Sequence, residues 1–323
     1  MNIKRIITLA GCWLVLGTAI AQRPFTIVEY NVENIFDTRH DEGKQDEEYL
    51  PEATRCWTEK RYWKKLDLVG KAILSCSKES IPDLVALCEV ENDSCLRDLT
   101  KRSLLRNAGY EYVITNSPDA RGVDVALMYS PFSFRLLRSY GLRIQTIEGM
   151  RPTRDILYAC GELQSGDTLH VFVVHAPSRH GGEKASRPFR LQAADRLSQA
   201  VDSIFTLSPD AAIFITGDFN DYHDSPALQQ LYRHNLKNVT RQATGKYGVK
   251  GTYRYKGEWN SLDHMLVSPV VGERVESTFI QSEKFLLEKD KFYGGYLPMR
   301  TYKGMKYQKG YSDHLPLVAR LRF

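Results

Sequence analysis

A cluster of acidic and amide side chains follows an apolar run near the middle of the chain. Residues 211–216 carry no charge and are partly β-branched, which is typical of a strand buried on both faces. Gly217 ends the run, and Asp218 and Asn220 then lie two positions apart, so an extended chain turns both side chains to one side. A carboxylate beside a carboxamide can hold a cation or a water molecule against a phosphate. Taken alone, the cluster is equally compatible with a polar turn.

Similar side chains stand at the ends of several other apolar runs. They are Asn31 and Glu33, Glu89, His175, Asp263 and His264, and Asp313 and His314. Singly, each has a structural alternative, such as a turn at Asn31, a first solvated residue at Glu89 or a satisfied core histidine at His175. Ser312 and Asp313 are also good turn formers. Together, strand ends that offer only Asp, Glu, Asn and His predict one acidic cleft that binds a cation.

The periodicity of apolar residues predicts alternating strands and helices along the chain. The predicted strands are 25–30, 83–88, 110–115, 123–129, 134–144, 156–163, 169–174, 211–216, 262–267 and 315–321, and the predicted helices are 57–76, 93–108 and 188–205. No repeat, low-complexity tract or linker interrupts them. The pattern therefore favours one mixed α/β domain with two packed sheets and outer helices, over a split near residues 149–152.

The beginning of the chain predicts a secretory signal peptide over residues 1–21. Two basic residues precede an apolar run over residues 6–20, and a small-x-small cleavage site ends at Ala21. The run is too short for a membrane span, and no stop-transfer pattern follows. A competing interpretation is a lipoprotein box with an anchor at Cys12. We expect residues 22–323 to form the mature domain, either periplasmic or secreted.

Charge and cysteine content narrow the function classes. The formal net charge of the 323-residue chain is +5, and removing Lys4 and Arg5 leaves +3, too weak a charge for a protein that coats nucleic acid. Five cysteines remain, and this odd number leaves at least one thiol free. Cys88 and Cys160 lie in apolar runs and are expected to be small core residues. No pair has the C-x-x-C spacing of a structural zinc site.

Seven short stretches, spread over nearly the whole mature chain, match the motifs of a known family in the same order. They are YNVEN (30–34), CEVEN (88–92), RGVDVALMY (121–129), HAPS (175–178), GDFND (217–221), SLDHMLVS (261–268) and GYSDHLP (310–316). In this set the chain resembles the endonuclease/exonuclease/phosphatase superfamily, and most closely its deoxyribonuclease I-like branch. The resemblance implies a four-layered α/β sandwich, with two mixed β-sheets face to face and helices outside. That fold agrees with the one inferred from periodicity.

The resemblance also implies a metal site. Glu89 is then the principal ligand of a divalent cation, usually Mg²⁺, with Mn²⁺ or Ca²⁺ as alternatives. Asn31 and Glu33 complete that side of the site, and Asp313 is a further candidate ligand. Oxygen ligands suit such a hard cation, which can neutralise the phosphate and position water.

The catalytic groups implied by the resemblance come from later in the chain. Asp218 orients or deprotonates the attacking water, and Asn220 hydrogen-bonds the phosphate. His314 contacts the scissile phosphate, with Asp263 holding its tautomer, as a carboxylate behind a histidine does. His175 matches the second histidine of the branch, and relatives specialised for abasic-site repair lack it.

Two regions depart from the deoxyribonuclease I pattern. That branch places a glutamate partner for its first histidine in the region matching residues 116–118, where this chain has none. Either Asp124 serves instead or His175 only binds phosphate. The second departure is the segment 284–311, which is rich in Lys, Arg, Tyr and Gly. It is interpreted either as a grip for a phosphate backbone or as a solvated loop with packed aromatic residues.

These observations support three functional hypotheses. The leading one is an exported, divalent-metal-dependent phosphodiester hydrolase that acts as a nuclease on DNA or RNA. We expect it to be a monomer. The second keeps the site but changes the substrate to phospholipid head groups or to inositol or sugar phosphates. The third is a secreted binding module that has the fold without catalysis.

Overall fold

The computed structural model describes residues 24–323, and its strands and helices alternate as expected. The strands are β1 (Phe25–Ile35), β2 (Leu84–Val90), β3 (Glu111–Ile114), β4 (Asp124–Tyr129), β5 (Phe134–Leu142), β6 (Ile156–Leu163), β7 (Thr168–His175), β8 (Ala212–Asp218), β9 (Lys237–Asn238), β10 (Tyr253–Tyr255), β11 (Glu258–Asn260), β12 (Asp263–Val267), β13 (Val275–Ile280), β14 (Leu287–Lys289), β15 (Tyr296–Pro298), β16 (Tyr302–Lys303), β17 (Lys306–Tyr307) and β18 (Leu317–Leu321). The helices are α1 (Glu59–Leu74), α2 (Asp93–Lys101), α3 (Glu183–Leu207), α4 (Pro226–Tyr232) and α5 (Pro269–Gly272), with short 3₁₀ turns at Glu47–Tyr49 and Lys284–Leu286.

Two mixed six-stranded sheets form the centre of the molecule. The first has the order β13-β18-β1-β2-β4-β3, and the second has the order β5-β6-β7-β8-β12-β9. Within them, β1–β2 and β7–β8 are parallel, and the other pairs are antiparallel. The two parallel pairs lie at the centres of their sheets, where both faces of each strand can be covered.

The hydrophobic core divides into two clusters that define four layers. One cluster joins the facing sides of the two sheets and continues to α1 and α2 beside the first sheet. The other lies between the second sheet and α3 and α4, where Leu197 and Val201 pack with Ile213 and Ile215. The predicted four-layered α/β sandwich, with two mixed sheets face to face and helices outside, is confirmed.

Several predicted boundaries were wrong for local reasons. Helix α3 begins at Glu183, directly after Gly182, and Pro188 lies inside it rather than at its start. Helix α2 stops at Lys101 because Ser103 then takes over the hydrogen bonding, donating its hydroxyl to the Leu99 carbonyl. Strand β13 was not predicted, because its partly exposed sequence lacks a clear apolar alternation.

The export signal predicted for residues 1–21 and the alternative anchor at Cys12 lie outside the described residues. Between residues 24 and 323, no helix has both the length and the apolar character needed to cross a membrane. Cys88 and Cys160 are buried in the core as predicted. All five cysteines of the described part of the chain are free thiols.

Gly217 lets two site-bearing strands approach each other closely. Its φ is +145°, and a Cβ built on it would lie 1.8 Å from the carbonyl oxygen of Val174 on β7. Any side chain at this position would therefore separate β7 from β8 just where their last residues, His175 and Asp218, lie opposite each other.

Replacing Gly217 with alanine is expected to destabilise the fold by roughly 3–5 kcal/mol, the range of severe core clashes. Gly166→Ala is the matched control, because Gly166 also has a positive φ, of +87°, but nothing lies within 4 Å of its built Cβ. It should cost only about 1–2 kcal/mol for the backbone conformation. Urea unfolding of both variants measures the difference, and equal losses of stability would show that the strand contact is not limiting.

Candidate active site

Three strand ends at one edge of the second sheet bring together three predicted catalytic residues. In the parallel pair β7–β8, His175 lies opposite Asp218, and in the antiparallel pair β8–β12, Asp218 lies opposite Asp263. All three side chains are buried. Since neighbouring strands lie only about 4.8 Å apart, strand pairing alone places these groups within reach of one another.

The first sheet contributes two predicted metal ligands to the same place. Asn31 Nδ2 donates a hydrogen bond of 3.0 Å to Asp218 Oδ2 across the interface between the sheets. His175 Nε2 lies 3.7 Å from Asp218 Oδ2 and 3.8 Å from Glu89 Oε1. The ends of β1, β2, β7 and β8 therefore converge on a single site.

The backbone is irregular at these strand ends, and this irregularity orients the polar side chains there. Glu89 is the extra residue of a bulge, since the β2–β4 register shifts between Cys88 and Val90. Glu89, Glu33 and Asn220 all have left-handed backbone conformations, with φ of 68°, 51° and 49°. Such conformations are uncommon outside glycine, and they gather where a fold re-aims side chains for function.

Asp263 and His314 form a buried pair. His314 Nδ1 lies 2.7 Å from Asp263 Oδ2, and the hydroxyl of Thr252 donates to the same oxygen. Ser312 fixes the loop that carries the histidine, because its hydroxyl donates to the Asn31 carbonyl and accepts from the His314 backbone N–H. The predicted partnership across 51 residues of sequence is present in the structure.

The electrostatics of this cluster raise the pKa of both His314 and Asp218. Burial by itself lowers the pKa of His314, but the charge and hydrogen bond of Asp263 more than offset it and hold the pKa well above its ordinary value. Burial, together with the charge of Asp263, raises the pKa of Asp218 to about 7, although His314 acts in the opposite direction. The site thus pairs a cationic histidine with a carboxyl group that titrates near neutrality, as acid–base catalysis requires.

His175 is held neutral. Its pKa is lowered well below the usual value, first by burial and then by the nearby guanidinium groups of Arg154 and Arg121. Nδ1 of His175 is buried and has no hydrogen-bond partner among residues 24–323. A neutral imidazole in this position can exchange a proton or accept a hydrogen bond from a ligand.

Asp124 is not the acidic partner of His175, contrary to one of the two sequence-based expectations. The Asp124 carboxylate accepts hydrogen bonds from the Thr115 hydroxyl and the Ser117 backbone N–H. It is therefore used to close the turn between β3 and β4. The carboxylates that face His175 belong to Glu89 and Asp218 instead.

The donor set fits a hard divalent cation. Glu89 lies at the cleft wall beside Asn31, and its carboxylate is contacted loosely by Arg121, at 3.7 Å. Ligand atoms of Asp218, Asp263 and His314 also lie within 4.8 Å of one another. Carboxylate and carboxamide oxygens are the ligands that Mg²⁺ and Mn²⁺ prefer. A second cluster whose ligand atoms are equally close, Asp37, Glu91 and Cys95, does not line the cleft.

The other two predicted metal ligands meet around Arg300, a residue of the basic and aromatic segment 284–311 whose pairing with them was not predicted. Arg300 Nε lies 3.2 Å from Glu33 Oε1, and Arg300 Nη2 lies 2.6 Å from Asp313 Oδ2. The second oxygen of Glu33 accepts the backbone N–H of Thr301. Glu33 and Asp313 are therefore close in space, but both are engaged by the protein itself.

Two further buried charges were also missed. Lys65 donates from its fully buried ammonium to the Thr301 hydroxyl and the Tyr311 carbonyl, and burial lowers its pKa to about 8. Glu29 is fully buried on β1, where burial and the charge of Asp263 raise its pKa well above the ordinary range. A charge within an otherwise apolar face was the available signal in both cases.

An open cleft of about 1320 Å³ leads to this cluster. Cationic and aromatic side chains line it around the site, namely Arg55, Arg121, Arg151, Arg154, Arg179, Arg300, Tyr49, Tyr222, Tyr253, Tyr255 and Tyr302. The Tyr253 ring lies 5.1 Å from the His314 ring, and Arg179 stacks on Tyr222 at 4.5 Å. A phosphate and an attached ring-shaped group would both find complementary chemistry here.

One part of the basic and aromatic segment 284–311 lines the cleft, and another part packs its aromatic residues against the protein. Arg300 and Tyr302 line the cleft. Tyr302 and Tyr307 pack on each other, 5.4 Å apart, and Tyr311 is buried, as expected for aromatic packing. Lys303 is paired with Glu288 at 2.9 Å. Only part of the segment can therefore contact a molecule in the cleft.

The chain belongs to the Endonuclease/Exonuclease/phosphatase family, whose model matches residues 26–322. Together with the site, this defines a hydrolase of phosphoester substrates. No curated protein matches the chain.

Solved structures of low sequence identity share the fold. One is an endonuclease/exonuclease/phosphatase family protein from Bacteroides thetaiotaomicron, with 16% identity over 92% of this chain and 97% of that chain and a TM-score of 0.62. A mannosyl-6-phosphatase from B. thetaiotaomicron VPI-5482 has 16% identity over 93% and 100%, with a TM-score of 0.61. The human Nocturnin catalytic domain has 19% identity over 93% and 94%, with a TM-score of 0.55.

The opposed pKa shifts predict a bell-shaped pH dependence of kcat/KM. Activity should fall as the pH drops through about 7, because Asp218 becomes protonated, and it should fall at high pH as His314 loses its proton. In Asp263→Asn the main group that raises the histidine pKa is gone, so the alkaline limb should move to lower pH and kcat should fall roughly 10²–10⁴-fold.

The matched control is His234→Asn, which removes another histidine that is paired with a carboxylate, Asp202, but on the surface. Its pH profile should superimpose on that of the wild type. An alkaline limb that stays in place in Asp263→Asn would contradict the assignment of His314 as the titrating acid.

Proposed function

We propose that this protein is an exported, divalent-metal-dependent phosphodiester hydrolase that cleaves nucleic acid. The observation that carries the proposal is the convergence of Glu89, Asn31 and Asp218 with the Asp263–His314 pair at the base of one open cleft. The export signal expected in residues 1–21 is part of the proposal and accounts for a hydrolase that acts outside the cytoplasm.

The protein's own groups account for positioning and proton transfer. Asp218 is anchored by hydrogen bonds from Asn31 and from the backbone N–H of Asn220, and its ionised form can take a proton from an attacking water. His314 is cationic, held in one orientation by Asp263, and can donate to a phosphate oxygen or to the leaving oxygen. His175, neutral and unpartnered at Nδ1, completes the wall facing the phosphate.

A divalent cation would be held by Glu89, with Asn31 beside it. When bound, it supplies charge neutralisation of the phosphate and a Lewis acid for the reacting oxygen. Mg²⁺ is the expected ion because the ligand oxygens are hard, and Mn²⁺ and Ca²⁺ are the alternatives.

Nucleic acid is favoured as substrate by the composition of the cleft wall. Arginines bind phosphate oxygens with charge-assisted bonds, and exposed aromatic rings stack on bases. Tyr255 is 59% exposed at the cleft, and Arg179 is already stacked on Tyr222. This combination suits a single-stranded or locally opened strand better than a lipid.

A phosphatase acting on a small sugar or inositol phosphate is the second candidate. It is favoured by the composition of the cleft, because only part of the segment 284–311 reaches the cleft and none of the lysines of that segment lines it. One structural relative named above is a mannosyl-6-phosphatase, which is compatible with this candidate.

Incubation of the purified mature protein with plasmid DNA and with RNA, in Mg²⁺ and in EDTA, tests the proposal. We expect cleavage only with the metal, and a loss of roughly 10²–10⁴-fold in rate for His314→Ala. A parallel panel of sugar, inositol and phospholipid phosphates identifies the second candidate.

The matched control is His234→Ala, a histidine outside the cleft, which should cleave at the wild-type rate. Turnover confined to the small phosphate esters would replace the nuclease assignment. No turnover of any phosphoester by the wild type would support a binding module instead.

A further inference from the structure

A single guanidinium lies between two acidic groups of the cleft. Arg300 uses Nε on Glu33, at 3.2 Å, and Nη2 on Asp313, at 2.6 Å. Both carboxylates lie at the cleft wall, and the Arg300 side chain remains 37% exposed. The arrangement is a fork between two carboxylates rather than a pairing with one of them, and it fixes the guanidinium in position.

The charge of this cluster is already balanced. Behind it, the ammonium of Lys65 is fully buried and bound to Thr301 and Tyr311, where it acts electrostatically on Glu33. Two cations therefore face two carboxylates. A second divalent ion would have to displace Arg300, since hard cations need uncompensated carboxylate charge.

The surroundings of Glu89 differ. Glu89 has only a loose contact with Arg121, whose side chain is 50% exposed and lies 3.7 Å away. Asn31 supplies a neutral amide beside it rather than a cation. Of the predicted metal-ligand carboxylates, Glu89 is thus the one that can exchange its partner for an ion at least cost.

We propose that Arg300 is the second positive charge of this site, in the position that a second metal ion would otherwise take. It holds Glu33 and Asp313 and leaves Glu89 as the single metal centre. Within residues 24–323, no group accepts a hydrogen bond from Nη1 of Arg300, so the N–H groups of Nη1 are free to bind a phosphate oxygen of the substrate. This inference rests on the proposed function.

Counting Mn²⁺ ions by calorimetry on the metal-free mature protein tests the inference. The wild type should bind one ion per chain, and Arg300→Met should bind two, because Glu33 and Asp313 are released. Its kcat/KM should also fall about 100-fold, the effect of losing one donor to a reacting phosphate. Arg151→Met, an exposed arginine of the same cleft that is not part of this cluster, is the control and should still bind one ion.

Arg300→Lys is a more conservative variant, for use if Arg300→Met fails to fold. Lysine keeps the charge but cannot span both carboxylates, so the ion count should stay at one while kcat/KM falls at least tenfold. Two ions in the wild type, one ion in folded Arg300→Met, or wild-type kcat/KM in Arg300→Lys would overturn the inference. Absence of both Mn²⁺ binding and turnover in the wild type would instead count against the proposed function.

Discussion

The register of β7, β8 and β12 is the constraint on which the site depends. His175, Asp218 and Asp263 are the terminal residues of three adjacent strands and lie directly opposite one another. A shift of one residue in any strand would turn its side chains to the other face of the sheet. Gly217 secures the register, because its missing side chain allows β8 to approach the Val174 carbonyl. Catalytic geometry here is therefore a property of strand pairing before it is a property of loops.

The second organising feature is the distribution of charge around the cleft. Glu33 and Asp313 are both held by Arg300, whereas Glu89 keeps a loose and exposed partner, Arg121. Such asymmetry balances most of the buried carboxylate charge with protein cations and leaves one carboxylate available for a metal ion. It also separates two tasks, since Glu89 can receive an ion and Arg300 can present fixed donors to an anion.

The sequence predicted most of the fold and most of the site, for identifiable reasons. Apolar runs such as residues 211–216 are unambiguous, and polar residues at their ends must meet at a sheet edge once the strands pair. The Asp263–His314 pair followed from the family resemblance. The pairing of Arg300 with Glu33 and Asp313 could not be predicted, because Arg300 lies in an irregular segment where spacing carries no register. One of the two alternatives for His175, an acidic partner at Asp124, was wrong because the contacts of Asp124 in its turn depend on side-chain packing with Thr115.

A crystal soaked with Mn²⁺ and inorganic phosphate tests the central claim most directly. We expect an anomalous peak at the Glu89 carboxylate, with the phosphate within hydrogen-bonding distance of His314 and of Arg300. Manganese bound only at the Asp37, Glu91 and Cys95 cluster, or a phosphate bound remote from His314, would contradict it.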